Sequence, residues 1–332
     1  MKIGFFEIIG WEKKYLKKAL NNNFLEFYKE PLNLENVNKI NDFEIISVFI
    51  YSKINKQILD KIPKLKLITT RSTGFDHIDL AECKRRKIIV CNVPFYGENT
   101  VAEHCFALML NLSRNIHKSY LRSKRNDFSI AGLKGFDLKG KTLGVIGTGH
   151  IGLHVIRIAK AFGMNILANS IHQNKFLEDV LNFKYVKLKE LLKKSDIITL
   201  HIPSNKSTYH LIGKETINFI KKGAILINTS RGDVVDTECL IEALDKKILS
   251  GVGLDVLEGE DLIKEEKQLL YDPKKRDRLA TLAKDHILLA KDNVIFTPHI
   301  AFYSQEALER IIHTTAQNIN NYLIKKPQNI VN

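Results

Sequence analysis

Apolar positions along this 332-residue chain fall in short blocks that alternate with stretches of helical spacing. In the first hundred residues, Ile45–Ile50, Lys66–Thr70 and Ile88–Cys91 are β-rich runs, and Lys56–Lys61 between them reads as a helix. Lys2-Ile3-Gly4-Phe5-Phe6 opens the chain as a strand, and Pro63 and Pro94 punctuate the segment. Past residue 140 the rhythm repeats. Lys141–Ile146, Asn165–Ala168, Ile197–His201, Ala224–Asn228, Gly251–Val256 and Val294–Thr297 predict strands. Alternation of this kind predicts an α/β fold with parallel, doubly wound sheets.

The remaining stretches set the domain plan. Thr100-Val101-Ala102-Glu103 has the form of a capping box. The helix it opens carries Ala102, Cys105, Phe106, Met109, Leu112 and Ile116 on one broad face, which predicts burial within the protein or between subunits. Residues 120–140 read as a polar connector. Residues 261–293 are highly charged, with Leu269, Leu270, Leu279, Leu282, Leu288 and Leu289 interleaved, and predict a helical insertion over one sheet edge. Residues 303–324 predict a last helix that returns to the first domain. A chain of this length favours two domains over one core. The expected division is 1–100 plus 301–332 for one, and 101–300 with the insertion 261–293 for the other.

Composition narrows the class. Hydrophobic content of 44% and charged content of 27% are those of a globular protein. The formal charge of +14 raises the question of nucleic acid, but the lysines are scattered in pairs such as Lys13-Lys14 and Lys246-Lys247. Without an aromatic-interleaved basic stripe, solvated helix faces account for them, and no nucleic-acid partner is expected. Cys83, Cys91, Cys105 and Cys239 have no C-x-x-C spacing, which points to reduced core cysteines and a cytoplasmic setting. No run has transmembrane length, so no membrane association is expected.

Two features carry chemistry. The first is Gly147-Thr148-Gly149-His150-Ile151-Gly152, a G-x-G-x-x-G turn between a predicted strand and the helical pattern Leu153–Phe162. In that context the glycines permit a tight turn, approach of backbone to a pyrophosphate and close helix–strand packing. The helix N-terminus then offers N–H groups and a positive dipole end to phosphates. The second is a set of polar groups after three strands: Thr229-Ser230-Arg231-Gly232, then Asp255 with Glu258 and Glu260, then Pro298-His299. Ligands of open α/β sheets bind beyond the carboxyl ends of strands. There a guanidinium can hold a carboxylate bidentately, and an imidazole can exchange a proton with a carbonyl or alcohol oxygen. A nearby carboxylate would orient such a ring and favour its charged form. Arg71-Ser72-Thr73-Gly74-Phe75-Asp76 also follows a strand directly, and its small residues suit either an anion-binding turn or a plain one.

With these motifs in hand, the chain resembles the D-isomer-specific 2-hydroxyacid dehydrogenases over nearly its whole length. Leu200-His201-Ile202-Pro203, Ile227-Asn228-Thr229-Ser230-Arg231-Gly232, Leu254-Asp255-Val256-Leu257-Glu258 and Thr297-Pro298-His299 carry the likeness beside the glycine turn. Arg71 to Asp79, Val93-Pro94-Phe95-Tyr96, His299 to Tyr303 and the insertion resemble the D-lactate dehydrogenases within that family, including the vancomycin-resistance type.

The resemblance implies two Rossmann-like domains, the substrate-binding one discontinuous, and reversible hydride transfer between NAD or NADP and pyruvate. It implies Arg231 as carboxylate anchor, His299 as acid/base and Glu260, rather than Glu258, as its partner. It implies substrate contacts from backbone at Thr73 and Gly74 and from Tyr96, Phe49 and Phe302. Cofactor contacts would come from the glycine turn with His150 and Ile151, from Ile202, Pro203 and Thr208, and from Thr229, Ser230, Arg231 and Asp255. It further implies a homodimer formed through the helix from Thr100.

One departure bears on the cofactor. Such folds normally place an acidic residue about twenty residues past the glycines to hold the ribose hydroxyls. Asn169-Ser170 stands there, followed by His172 and Lys175, so NADP is expected to be accepted. Two other functions stay open: action on a bulkier 2-keto acid, glyoxylate or hydroxypyruvate, and a nucleotide-sensing corepressor role.

Overall fold

The computed structural model describes residues 1–259 and 276–332. Contacts divide the chain into two compact units, Met1–Tyr96 with Tyr303–Asn332, and Gly97–Phe302.

The first unit is built on strands β1 (Lys2–Phe5), β2 (Phe24–Phe27), β3 (Ile45–Val48), β4 (Leu67–Thr70) and β5 (Ile89–Cys91), paired in the order β2-β1-β3-β4-β5. All pairings are parallel, with Ile3 opposite Ile45 and Leu67 opposite Ile89. β3 (Ile-Ile-Ser-Val) and β4 (Leu-Ile-Thr-Thr) are buried at every position, which is why neither alternates apolar with charged residues. Helices α1 (Gly10–Ala19), α2 (Lys56–Asp60) and α3 (Leu80–Arg85) connect them. The helix Gln305–Leu323 returns to pack on α1 and β4 through Ile312, Ala316 and Ile319.

The second unit carries β6 (Thr142–Ile146), β7 (Asn165–Asn169), β8 (Lys184–Tyr185), β9 (Ile197–Leu200), β10 (Ala224–Asn228), β11 (Leu249–Leu254) and β12 (Val294–Phe296). Their order is β12-β11-β10-β9-β6-β7-β8, all parallel. The α/β class with doubly wound parallel sheets is as the alternation predicts. The order reverses at β6 and β9, where such sheets open a ligand crevice. One face is covered by α4 (Glu98–Ser113) and α6 (His150–Ala161), whose Cys105, Met109, Val155 and Ile156 share a core with Val145 and Ile227.

Three expectations are corrected or extended. The capping box at Thr100–Glu103 does not start its helix: α4 begins at Glu98 with Gly97 as N-cap, and the Gly97 carbonyl already accepts the Val101 N–H at 2.8 Å. The connector 120–140 includes the end of α5 (Ile116–Ser123). Within the insertion, Arg276–Leu289 is a helix that packs on the helix Thr237–Asp245 and on the edge strand β12. Leu269 and Leu270 lie outside the described residues. All four cysteines are buried and unpaired, as expected. No described helix is long and apolar enough to cross a membrane.

Candidate active site

The glycine turn follows β6 directly. Gly147 has φ +96°, and a Cβ there would stand 2.3 Å from the His201 carbonyl oxygen. A Cβ at Gly152 would stand 2.0 Å from the Gly147 oxygen. Both positions therefore exclude a side chain. At Gly149 a Cβ would meet no protein atom within 4 Å, and no side chain caps α6. The helix N-terminus, with His150 and Ile151 in its first turn, thus has both room and donors for a pyrophosphate. The residues present fit a dinucleotide.

Beside this turn, β9 leads into His201, Ile202 and Pro203. Burial pushes the His201 imidazole down to about 3, so it is neutral, and its Nε2 meets the Thr199 hydroxyl at 2.9 Å. Thr208 turns inward: its hydroxyl donates to the Pro203 carbonyl at 2.7 Å and accepts from the Asn205 N–H, closing the loop that presents Ile202 and Pro203.

The polar groups singled out in the sequence follow β10, β11 and β12, which are neighbours in the sheet. Two side chains shape these strand ends. Asn228 is 1% exposed; its Oδ1 accepts from the Ser230 N–H and hydroxyl, and its Nδ2 donates to the Arg231 carbonyl at 2.8 Å. This Asx-type turn sets the backbone that carries Thr229, Ser230 and Arg231. Thr229 also meets the Cys105 thiol at 3.0 Å. Asp255 is likewise 1% exposed. Its carboxylate accepts from the Ile300 N–H at 3.0 Å, the Ala301 N–H at 2.9 Å and the Thr297 hydroxyl at 2.5 Å. That side chain is therefore taken up within the protein, holding the loop of His299.

His299 sits in the left-handed region, φ +55°, and its N–H donates to the Asp255 carbonyl. Its ring stands edge-on to Phe302 at 6.4 Å. Behind the loop, His104 on α4 meets the Thr297 hydroxyl at 2.9 Å. Because Thr297 gives its proton to Asp255, His104 donates from Nε2. Burial lowers the His104 pKa and keeps the ring neutral, with Asp255 opposing the shift. Glu260 lies outside the described residues. The Glu258 carboxylate accepts from His210, whose Nε2 is 2.9 Å from Oε1 and whose Nδ1 is 3.6 Å from Asp236.

In the first unit, β4 ends at Thr70, and the Thr73–Gly74 turn follows it. The Thr73 hydroxyl donates to the Val93 carbonyl and its own carbonyl accepts from Asn92 Nδ2, while Ser72 donates to the Gly74 carbonyl. The N–H groups of Thr73 and Gly74 make no hydrogen bond among the described residues. Arg71, 2% exposed, donates inward to the Phe6 and Glu7 carbonyls and to Ser47. Phe49 and Tyr96 are each half-buried; the Tyr96 carbonyl accepts from Arg310.

At the adenosine end, Ser170 follows β7 and is half-buried. The Asn169 side chain donates to the Val186 carbonyl. Lys175 pairs with Glu178 at 2.8 Å, so its charge is shared with a carboxylate. The sequence suits a structural role for His104, as found, but shows neither its partner nor the turn that Asn228 makes. An Asn directly after an apolar strand signals an Asx turn; nothing local marks His104 as a partner of residue 297.

Residues 106–301 match the family described as D-isomer specific 2-hydroxyacid dehydrogenase, NAD binding domain. A 2-hydroxyacid dehydrogenase homolog from Haemophilus influenzae is 38% identical over 96% of this chain and 95% of its own length. A D-lactate dehydrogenase from Escherichia coli is 36% identical over 97% and 96%. Among solved structures, a D-lactate dehydrogenase from Aquifex aeolicus complexed with NAD and lactic acid superposes with a TM-score of 0.87 at 38% identity, covering 98% of this chain and 96% of that one.

Proposed function

The chain belongs to the D-isomer-specific 2-hydroxyacid dehydrogenases, a family of NAD-dependent oxidoreductases, and we propose that it is a D-lactate dehydrogenase acting reversibly on pyruvate. The observation that carries this reading is the juxtaposition of the Arg231, Asp255 and His299 strand ends on three adjacent parallel strands. Relatives of similar length named for D-lactate support it.

In the proposed reaction the Arg231 guanidinium holds the substrate carboxylate bidentately. The N–H groups of Thr73 and Gly74 take further carboxylate lone pairs. His299, protonated, donates its proton to the carbonyl oxygen in reduction and recovers it in oxidation. Glu260 stabilises the imidazolium and orients the ring. Phe49, Tyr96 and Phe302 are the bulky side chains this reading assigns to the substrate's side chain, a choice that suits a methyl group. The bound nicotinamide supplies or accepts the hydride. Gly147, Gly149, His150, Ile151 and Gly152 bind its pyrophosphate, with Ile202, Pro203 and the loop closed by Thr208 beside it. Thr229, Ser230 and the Arg231 backbone would hold the nicotinamide end, and Asp255 would contribute only through the His299 loop that its carboxylate fixes.

NAD and NADP are both accepted in this reading, because Ser170 brings no negative charge against a ribose phosphate. The protein works in the cytoplasm as a homodimer. The α4 face expected to form the dimer packs Ala102, Cys105, Phe106 and Met109 into the core of its own unit, so support for the dimer comes instead from the exposed apolar set on and after α5: Ile116, Tyr120, Leu121, Phe128 and Ile130. Steady-state turnover of pyruvate, phenylpyruvate, glyoxylate and hydroxypyruvate with each reduced cofactor tests the assignment. Pyruvate is expected to have the highest kcat/KM, and a preference for phenylpyruvate would move the protein to the bulkier-acid branch of the family.

A further inference from the structure

We infer that Glu7 is a positioning residue for substrate side-chain selection, acting by clasping the loop that carries Phe49; this rests on the reading of Phe49 as a pocket residue.

The clasp is made of three contacts. Glu7 Oε2 accepts the Phe49 N–H at 2.9 Å, Oε1 accepts the Tyr51 N–H at 3.0 Å, and Oε2 also takes the hydroxyl of Ser52. Ser52 is fully buried and its oxygen accepts the Leu32 N–H at 2.9 Å, so the far end of the loop is tied to a third segment. One carboxylate thereby fixes both ends of the turn that follows β3. Charge-assisted bonds of this kind are stronger than neutral ones.

Glu7 is itself held in a rare conformation. Its φ is +56°, its N–H donates to the Glu30 carbonyl, and its carbonyl accepts from Arg71 Nη2 at 2.8 Å. A non-glycine residue in the left-handed region is kept there by its surroundings. The same Arg71 guanidinium lies 5.8 Å from the Phe49 ring centroid. Phe49 is thus fixed at two points: its N–H by Glu7, and its ring over a buried cation that Glu7 helps to anchor. The clasp determines where the Phe49 ring stands, and so how large a substrate side chain fits.

The test compares Glu7→Gly, Glu7→Gln and Phe49→Leu with the wild type. Glycine adopts φ +56° without strain, so Glu7→Gly removes the carboxylate and keeps the backbone. The readouts are the ratio of kcat/KM for pyruvate to that for phenylpyruvate, hydrogen exchange at Phe49 and Tyr51, and Tm. Phe43→Leu, a core change in the same unit, is the control for stability loss alone. Glu7→Gly is expected to lower the ratio at least tenfold in the direction of Phe49→Leu. Exchange at Phe49 and Tyr51 is expected to accelerate at least tenfold. Glu7→Gln, which retains one acceptor, should fall between, and Phe43→Leu should leave the ratio within twofold. A shift in Phe49→Leu without one in Glu7→Gly overturns the clasp and leaves the pocket assignment standing. No shift in either overturns both. A wild type that reduces neither acid overturns the proposed function and the inference with it.

Discussion

The backbone N–H of His299 donates to the Asp255 carbonyl oxygen at 2.9 Å, while the Asp255 carboxylate holds the two residues that follow His299. The imidazole therefore stands on a loop fixed from both sides by one residue. Asp255→Asn leaves an amide N–H facing a backbone donor and removes the charge. Loss of a hydrogen bond to a charged group costs about 1.5–3 kcal/mol. We expect a stability loss of that order in urea unfolding, and kcat reduced at least tenfold. Unchanged kcat in a destabilised variant would show that the clamp serves the fold and not the site.

Arg231 stands next to the Asn228 turn, with its carbonyl bound by the Asn228 amide and Nη1 donating to the Ser230 carbonyl. Arg231→Gln is expected to lower kcat/KM for pyruvate by a hundredfold or more, about 2.7 kcal/mol, with KM raised steeply. Arg231→Lys should restore little, because a point charge cannot bind a carboxylate bidentately. A loss below threefold in Arg231→Gln would remove Arg231 from the carboxylate.

Reduction needs a protonated His299, so its rate should fall as pH rises. With Glu260 stabilising the imidazolium, Glu260→Gln should shift that basic limb to lower pH. Glu258 is engaged with His210 at 2.9 Å, and Glu258→Gln should leave the limb in place. The opposite pattern would exchange the two assignments.

Asp285 on the helix Arg276–Leu289 is fully buried, and neither carboxylate oxygen has a hydrogen-bond partner among the described residues. Burial, with Glu258 nearby, raises its pKa from 3.8 to about 7. The folded protein then holds this proton more tightly than the unfolded chain. Its contribution is fully present below about pH 4 and is lost as pH rises through 7. The shift corresponds to roughly 4 kcal/mol as an upper bound. Asp285→Asn should be more stable than wild type at pH 8 by a few kcal/mol, with the difference shrinking towards pH 4. A difference independent of pH would assign the effect to packing.

Ser170→Asp is expected to shift preference towards NADH. A carboxylate about 4 Å from a ribose phosphate costs on the order of 4 kcal/mol at an effective dielectric of 20. Because Lys175 is paired with Glu178, the wild type is expected to accept NADPH without preferring it strongly. Steady-state kcat/KM for both cofactors at one ionic strength is the measurement. A wild-type preference for NADH above about a hundredfold, roughly 2.7 kcal/mol, would show that another group replaces the missing carboxylate.

Strands and the glycine turn were legible because their signals are local. Ala224–Asn228 coincides with its predicted run, and β12 is one residue shorter than its own. The start of α4 was misread because a capping-box pattern has no force inside a longer helix, and Gly97 had already turned the chain. The partners of Asp255, His104 and Glu7 were not legible. Spacing shows which residue follows a strand, but not which backbone N–H or side-chain hydroxyl it meets 42 or 193 residues away.

The Asp255 N–H donates to the Asn228 carbonyl at 2.9 Å, and the Thr297 and His299 N–H groups donate to Leu254 and Asp255. The turns bearing Arg231 and His299 are thus stitched edge to edge through a single intermediate residue. A chimera that transplants either loop alone from a relative would tear that seam. The transferable cassette is the three consecutive strand exits together, and shuffling experiments that cut between residues 228 and 301 should yield fewer active hybrids than those that cut outside them.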